Sequence, residues 1–148
     1  MAWSESDIPL QDERTAIITG ANSGIGFHAA LSLAKKNAHV VLACRNKQKA
    51  EQAIGNICRE HPRAKCTYME LDLAHLSSVR DFATHALDTL PSIDLLINNA
   101  GVMIPPHTMT DEGFELQFVT NHLGHFALTG LLLERILQTA NSRVVTVS

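Results

Sequence analysis

The chain has 148 residues, with 12 Lys and Arg against 15 Asp and Glu for a net charge of -3, which is one domain's length on a scale of roughly 100–200 residues per domain. At 45% hydrophobic and 18% charged residues it carries enough apolar side chain to build a buried core, which sets aside a disordered chain, and its acidic balance lacks the basic face that nucleic acid or an anionic membrane surface requires. The three cysteines, Cys44, Cys58 and Cys66, form no C-x-x-C pair, so an odd count argues against a disulfide framework and for a reducing, intracellular and cytoplasmic setting. Met1 to Leu10 shows no basic-then-apolar layout, and no run approaches the roughly 18 apolar residues of a spanning helix. Peripheral membrane contact stays open.

Residues 1–14 read as a polar leader and 15–148 as one domain. Thr15-Ala16-Ile17-Ile18-Thr19 is a short buried strand that runs directly into Gly20-Ala21-Asn22-Ser23-Gly24-Ile25-Gly26. From Ile25, apolar residues at helical spacing (Ile25, Ala29, Ala30, Leu33, Ala34) continue to Lys35-Lys36-Asn37, where two cations and an Asn mark a C-terminus. A second strand, His39 to Cys44, ends at Arg45-Asn46. A helix with Ala50, Ala53, Ile54, Ile57 and Cys58 on one side follows and closes before Pro62. Cys66 to Leu71 is a third strand ending at Asp72-Leu73. Ser77 then opens a helix carrying Val79, Phe82, Ala83, Ala86 and Leu87, which Pro91 stops. The fourth strand, Ile93 to Ile97, leads into Asn98-Asn99-Ala100-Gly101. A loop with Pro105-Pro106 precedes a long helix expected from about Asp111 to Thr139, with Leu116, Val119, Leu123 and Phe126 on one face and Phe114, Phe118 and Phe126 in the core. Arg143 to Val147 is a fifth strand, reaching the last residue, Ser148. Strands alternating with helices imply parallel pairing through right-handed crossovers, hence an α/β fold with a doubly wound parallel sheet.

In such sheets ligands bind beyond the carboxyl ends of the strands, where helix N-termini and free amides converge. Gly20, Gly24 and Gly26, between a strand and a helix, allow a tight turn and close approach of backbone to a pyrophosphate, with hydroxyls of Thr19 and Ser23 at hand. Arg45 stands where this fold reads the adenosine ribose, and a cation with no acid beside it favours NADP over NAD; a solvated arginine at a strand end is the competing reading. Asp72 is either an acceptor for the adenine amino group or an acid at a helix N-terminus. The Asn98-Asn99 pair offers amides that tie neighbouring strands together, or forms an ordinary turn. Asn121 falls inside a predicted helix, where its amide competes with the backbone, so it marks a polar kink facing a cleft or simply faces solvent. His122 and His125 read as helix-face histidines, and no metal site is expected.

Taken together, Thr19 to Gly26, Asp72-Leu73, Asn98-Asn99-Ala100-Gly101 and Asn121 resemble the short-chain dehydrogenase/reductase superfamily over nearly the whole chain. Ala43-Cys44-Arg45-Asn46 and Asn121-His122-Leu123-Gly124-His125-Phe126 are similar to its retinol-dehydrogenase branch. The resemblance implies a Rossmann fold and a nicotinamide dinucleotide bound by Gly20, Asn22, Ser23, Gly24, Ile25 and Gly26 at the phosphates. It places Arg45 and Asn46 at the 2′-phosphate, Asp72 and Leu73 at the adenine, and Asn99, Ala100 and Gly101 on the way to the nicotinamide. Asn121 corresponds to the helix Asn that supports the family's proton relay. Ser148 corresponds to the first of the two serines in a Val-Ser-Ser pattern, whose second serine is the catalytic one. The implied chemistry is reversible hydride transfer between NADP(H) and a small alcohol or carbonyl substrate, in a protein that could form a homo-oligomer.

That chemistry also needs a Tyr and a Lys four residues later. The only tyrosine is Tyr68, and position 72 is Asp, a neighbour that opposes phenolate formation. The chain therefore reads as a portion of the enzyme ending after the fifth strand, inactive by itself and with Val144, Val145 and Val147 on a bare sheet edge that favours association. The alternative is a non-catalytic product that binds nucleotide or docks on a partner.

Overall fold

The structure, a computed structural model, describes residues 4–148; residues 1–3 of the expected leader lie outside the described residues. After a short 3-10 turn at Glu5–Asp7, five strands alternate with helices: β1 (Thr15–Thr19), α1 (Gly24–Lys35), β2 (His39–Cys44), α2 (Lys47–Glu60), β3 (Lys65–Glu70), α3 (Leu76–Thr89) and β4 (Leu95–Asn98). They are followed by α4 (Leu116–Phe118), a π-helical turn (Val119–Leu123), α5 (Gly124–Gln138) and β5 (Arg143–Thr146). All pairings are parallel and the order is β3-β2-β1-β4-β5. The doubly wound Rossmann expectation is met, with the order reversing at β1, so that a crevice opens between the carboxyl ends of β1 and β4.

β1 is apolar on both faces because both faces are covered. Ile17 packs with Val41, Leu96, Val79, Phe82, Leu128 and Leu132 under α3 and α5, whereas Ile18 packs with Val40, Leu42, Ala30, Ala34, Ala53 and Ile57 under α1 and α2. The continuous apolar run is what a central parallel strand requires. The helix ends follow local chemistry. Asn37, at φ 72°, closes α1 in the left-handed region, and the Asn46 side-chain Oδ1 caps α2 by accepting from Lys49 N–H at 2.9 Å, both ordinary uses of Asn.

The long helix departs from expectation in two ways. It starts at Leu116 rather than near Asp111, because Gly113 adopts φ 83° in a turn and the Glu115 carboxylate takes the amides of Gln117 and Phe118 at 3.0 and 2.7 Å. Its buried face is also not Leu116, Val119, Leu123 and Phe126. The π turn inserts a five-residue step after buried Val119, and the core stripe continues as Gly124, Leu128, Leu132 and Ile136. This extra residue rotates Phe126 outward to 73% exposure, and Phe118 is 52% exposed; neither is a core residue. Instead the His122 ring stacks between them, with centroids 5.5 and 6.5 Å away. β5 lies at the sheet edge with Val144, Val145 and Val147 each about 40% exposed.

The amino ends of β1, β4 and β5 are pinned by Asp94. Its Oδ2 accepts from Thr15 N–H at 2.9 Å and from the Ser92 hydroxyl at 3.0 Å, and its Oδ1 pairs with Arg14 Nε at 3.3 Å. Arg14 also donates to Gln11 and to the Asn141 carbonyl, and Gln11 N–H donates to Lys36 O, so the segment before β1 is docked rather than free. Replacing Asp94 with Ala strands a buried amide and a half-buried guanidinium and should lower the unfolding free energy by about 3 kcal/mol, read as a lower urea midpoint at unchanged slope.

Two histidines link stability to pH. Burial holds His125 below its ordinary value, and burial followed by the charge of Lys65 does the same for His39. Because the unfolded chain binds these protons more readily, their stability contribution is fully present above about pH 6.5 and is lost as pH falls from there through the folded values. The melting temperature should therefore drop between pH 7.5 and 5.5, and a His39→Asn, His125→Gln double variant should flatten that drop in a scanning-calorimetry series.

Candidate functional site

Where β1 ends, the chain must turn sharply to enter α1. Gly20 (φ 67°) makes the turn and Gly24 (φ 56°) opens the helix, and the space beside Gly24 is open. Gly26 serves a different purpose: a Cβ there would collide with Asn99 Nδ2 and lie 2.7 Å from Gly20 O, so its bare backbone lets the loop close on the end of β4. The amide of Gly20 still bonds Ala43 O at 2.9 Å, and Asn99 Nδ2 donates to Thr19 O at 2.9 Å. Asn99 thus ties the end of β4 to β1, whereas Asn98 Nδ2 turns the other way and donates to Thr129 Oγ1 of α5 at 3.0 Å.

A cleft of about 300 Å³ opens at this junction. It is lined by Gly20, Asn22 and Ser23 of the glycine loop, by Ala43, Cys44 and Arg45 at the end of β2, by Leu71, Asp72 and Leu73 after β3, and by Asn99, Ala100, Gly101, Val102 and Thr120. Nine sequence-predicted residues are brought together here. Gly24 and Ile25 lie beside the loop on the exposed start of α1, Gly26 is buried behind it, Asn46 is spent on capping α2, and Ser148 stands exposed past β5, outside the lining.

Sequence reasoning missed Ala43, Cys44, Leu71, Val102 and Thr120 in this lining. The first three are simply the apolar residues at their strand ends, a signal available from position alone. Thr120 is placed by the π turn, which no hydropathy pattern announces; its hydroxyl is buried without a hydrogen-bond partner among the described residues. The Thr19 hydroxyl, in contrast, does not face the cleft as a free donor. Its oxygen accepts from Asn99 and Ala100 N–H, both at 2.9 Å, and lies 2.8 Å from His125 Nε2.

Asn121 lies in a helical kink as one reading expected, but it is exposed and outside the cleft lining, and its amide is spent on a loop. Its Oδ1 accepts from Val102 N–H at 2.8 Å and its Nδ2 donates to Val102 O at 2.9 Å. This two-point clamp gives a loop peptide the partners a neighbouring strand would give it, and it sits inside the π turn, a feature common at functional sites. Asp72 uses one oxygen to accept from Ala74 N–H at 3.0 Å and places the other 3.2 Å from His75 Nδ1, which keeps it at the helix entry while it lines the cleft. His125 is buried and bonded to Thr19 rather than lying on an open helix face with His122.

The electrostatics of the cleft are one-sided at the β2 end. Among the described residues the exposed Arg45 guanidinium has no carboxylate partner. Cys44 beside it is a buried thiol, which burial pushes up against the opposing pull of the Ala21, Asn22 and Gly20 amides. Tyr68 lies in β3 opposite Leu42, and its phenol is also pushed up, by burial and then by Glu70, Cys44 and Glu51. The acids opposing a phenolate are thus Glu70 and Glu51 rather than Asp72. No helix among the described residues is long and apolar enough to cross a membrane.

Comparison with known proteins bears on this geometry. The family model for short chain dehydrogenase matches residues 14–148. Retinol dehydrogenase 13 from Homo sapiens is 47% identical over 135 residues, covering 91% of this chain and 41% of its own length. A solved structure of an uncharacterised protein from Mycobacterium paratuberculosis superposes with a TM-score of 0.80 at 47% identity, over 91% of this chain and 47% of that one. A short chain dehydrogenase from Shigella flexneri, solved in complex with NADP, superposes with a TM-score of 0.79 at 27% identity, over 93% of this chain and 59% of that one. The chain therefore spans less than half the length of the retinol dehydrogenase it matches. With strand order, glycine loop, Asn121 clamp and sequence similarity in agreement, the chain belongs to the short-chain dehydrogenase/reductase superfamily of nicotinamide-dependent oxidoreductases, in its retinol-dehydrogenase-like branch.

Proposed function

We propose that residues 15–148 form the NADP-binding portion of an oxidoreductase that moves hydride between NADP(H) and an alcohol or carbonyl substrate. The observation that carries this reading is Arg45: an exposed, unpaired cation at the end of β2, on the same cleft as the glycine loop. An acid at that place accepts from ribose hydroxyls, whereas a guanidinium grips a 2′-phosphate bidentately. The NADP complex of the Shigella flexneri relative supports the same cofactor.

The cleft fits such a molecule. The open side of Gly24 at the start of α1 leaves room for a pyrophosphate against unpaired helix amides, with Asn22 and Ser23 beside it. Ala100 and Gly101 leave the floor flat toward Val102. When bound, the dinucleotide supplies the hydride acceptor or donor. The protein's part is to hold the phosphates at the loop, keep the adenine between Asp72 and Leu73, and fix the Ala100–Gly101 floor through Asn99 and Thr19. Asn121 keeps the following loop at a set distance through Val102, and in this reading Ser148, exposed two residues past β5, would lie toward the substrate.

The proton step calls for a Tyr and Lys pair that these residues do not include: Tyr68 is the only tyrosine, and its phenol is pushed up, away from ionisation. In this reading the 148-residue chain binds cofactor without turning it over, and the complete enzyme carries the pair elsewhere. Isothermal titration of the 148-residue chain should show NADPH binding more tightly than NADH, with no oxidation of NADPH in the presence of retinal or a small aldehyde. Arg45→Asp should weaken NADPH by about tenfold or more, the worth of a charge-assisted hydrogen bond, and reverse the preference; an unchanged NADPH to NADH ratio would remove the case for NADP.

A further inference from the structure

One buried side chain joins parts of the site that are far apart in sequence. His125, on α5, places Nε2 2.8 Å from Thr19 Oγ1 and Nδ1 3.2 Å from the main-chain oxygen of Asn121. The same Thr19 oxygen receives the N–H groups of Asn99 and Ala100, each at 2.9 Å. A hydroxyl has one proton and two lone pairs. Both lone pairs are taken by the two amides, so the proton is left to donate, and His125 Nε2 is a far nearer acceptor than Ile97 O at 3.4 Å.

The other ring nitrogen faces a carbonyl oxygen, which only accepts, so Nδ1 carries the hydrogen. The set is therefore complete for a single form of the ring. An Nε2–H tautomer would point a third N–H at a filled hydroxyl oxygen and a lone pair at the Asn121 carbonyl. An imidazolium would keep the first of these conflicts. Every donor and acceptor in the chain from Asn121 O to Ala100 N–H is matched only in the neutral Nδ1–H ring.

We infer that His125 is a positioning residue: in its neutral Nδ1–H form it fastens the Asn121 turn to the Asn99–Ala100 floor of the cleft, so that the two respond as one body when the cleft fills. Thr19 is the middle of this bridge and His125 joins it to α5, beside a second hydrogen bond from the end of β4 to that helix, Asn98 Nδ2 to Thr129 Oγ1 at 3.0 Å. The inference rests on the proposed function for the identity of the ligand alone, since the bridge itself is internal to the protein.

The test uses the 15N-labelled 148-residue chain. Long-range imidazole correlation spectra at pH 7.5 should show a pyrrole-type Nδ1 and a pyridine-type Nε2 for His125. His125→Phe, which removes both arms, should speed amide exchange of Asn99 and Ala100 and weaken NADPH binding, each by about five- to tenfold, the worth of one ordinary hydrogen bond. His125→Gln, whose amide oxygen reaches the Thr19 proton, should stay within about twofold on both measures. A ring that is Nε2–H or charged at this pH overturns the inference, and so does a Phe variant with wild-type exchange at Asn99 and Ala100. If the Phe variant does not fold, His125→Asn, which keeps a donor toward Asn121 and loses the Thr19 arm, replaces it under the same criteria. If NADPH leaves the wild-type spectrum unchanged, the cofactor reading falls, while the tautomer and the exchange rates still decide this one.

Discussion

The oxygen of Thr19 is the point through which the fold and the site constrain each other. β1 is the central strand, covered on both faces, and its last residue is fully buried. A polar atom in that place is tolerable only if all its hydrogen-bonding capacity is used, because an unpaired buried group costs about 1–3 kcal/mol. Three groups meet that demand at once: the two amides after β4 and a ring from α5. The crevice at the reversal of strand order is therefore held open by partners that have no alternative use, and the glycine loop on its other side closes against Asn99 only because Gly26 has no side chain.

Charge is arranged on top of that frame. Asp72 is the one carboxylate in the cleft lining, and its oxygens are engaged by Ala74 and His75. Arg45 has no such commitment. An anion entering the cleft thus meets loop amides and a free guanidinium, with the nearest acid already satisfied by the protein itself. The same economy appears at the far end of the sheet, where Asp94 gathers Thr15, Ser92 and Arg14. One carboxylate there fixes the start of the strands whose other ends build the site.

The strands, the glycine loop and nine of the cleft residues were legible because each is a local pattern: an apolar run, then glycines, then helical spacing. Arg45 and Asp72 followed from their places at strand ends. What could not be read is whatever depends on partners distant in sequence or on a change of helical period. Nothing local to Thr19 says that its hydroxyl is consumed by His125, 106 residues away. Glu115 as a cap had no apolar run before it to mark a helix start. The misassigned face of the long helix has one cause, since an ideal 3.6-residue period carried through Val119 leads to Leu123 and Phe126, whereas the π turn leads to Gly124 and Leu128.

That turn also separates two kinds of sequence freedom. The stripe from Gly124 to Ile136 is keyed to the sheet, and Gly124 itself packs so tightly that a Cβ would lie 2.5 Å from Leu73 O. The loop between Val102 and Glu115 is anchored at both ends, by the Asn121 clamp and by the Glu115 cap. Insertions or deletions between those anchors leave the phase of α5 untouched. The segment bordering the cleft beyond Val102 can accordingly change length and chemistry while the Asn99–Gly101 floor keeps its shape, a division that lets the rim vary without rebuilding the core.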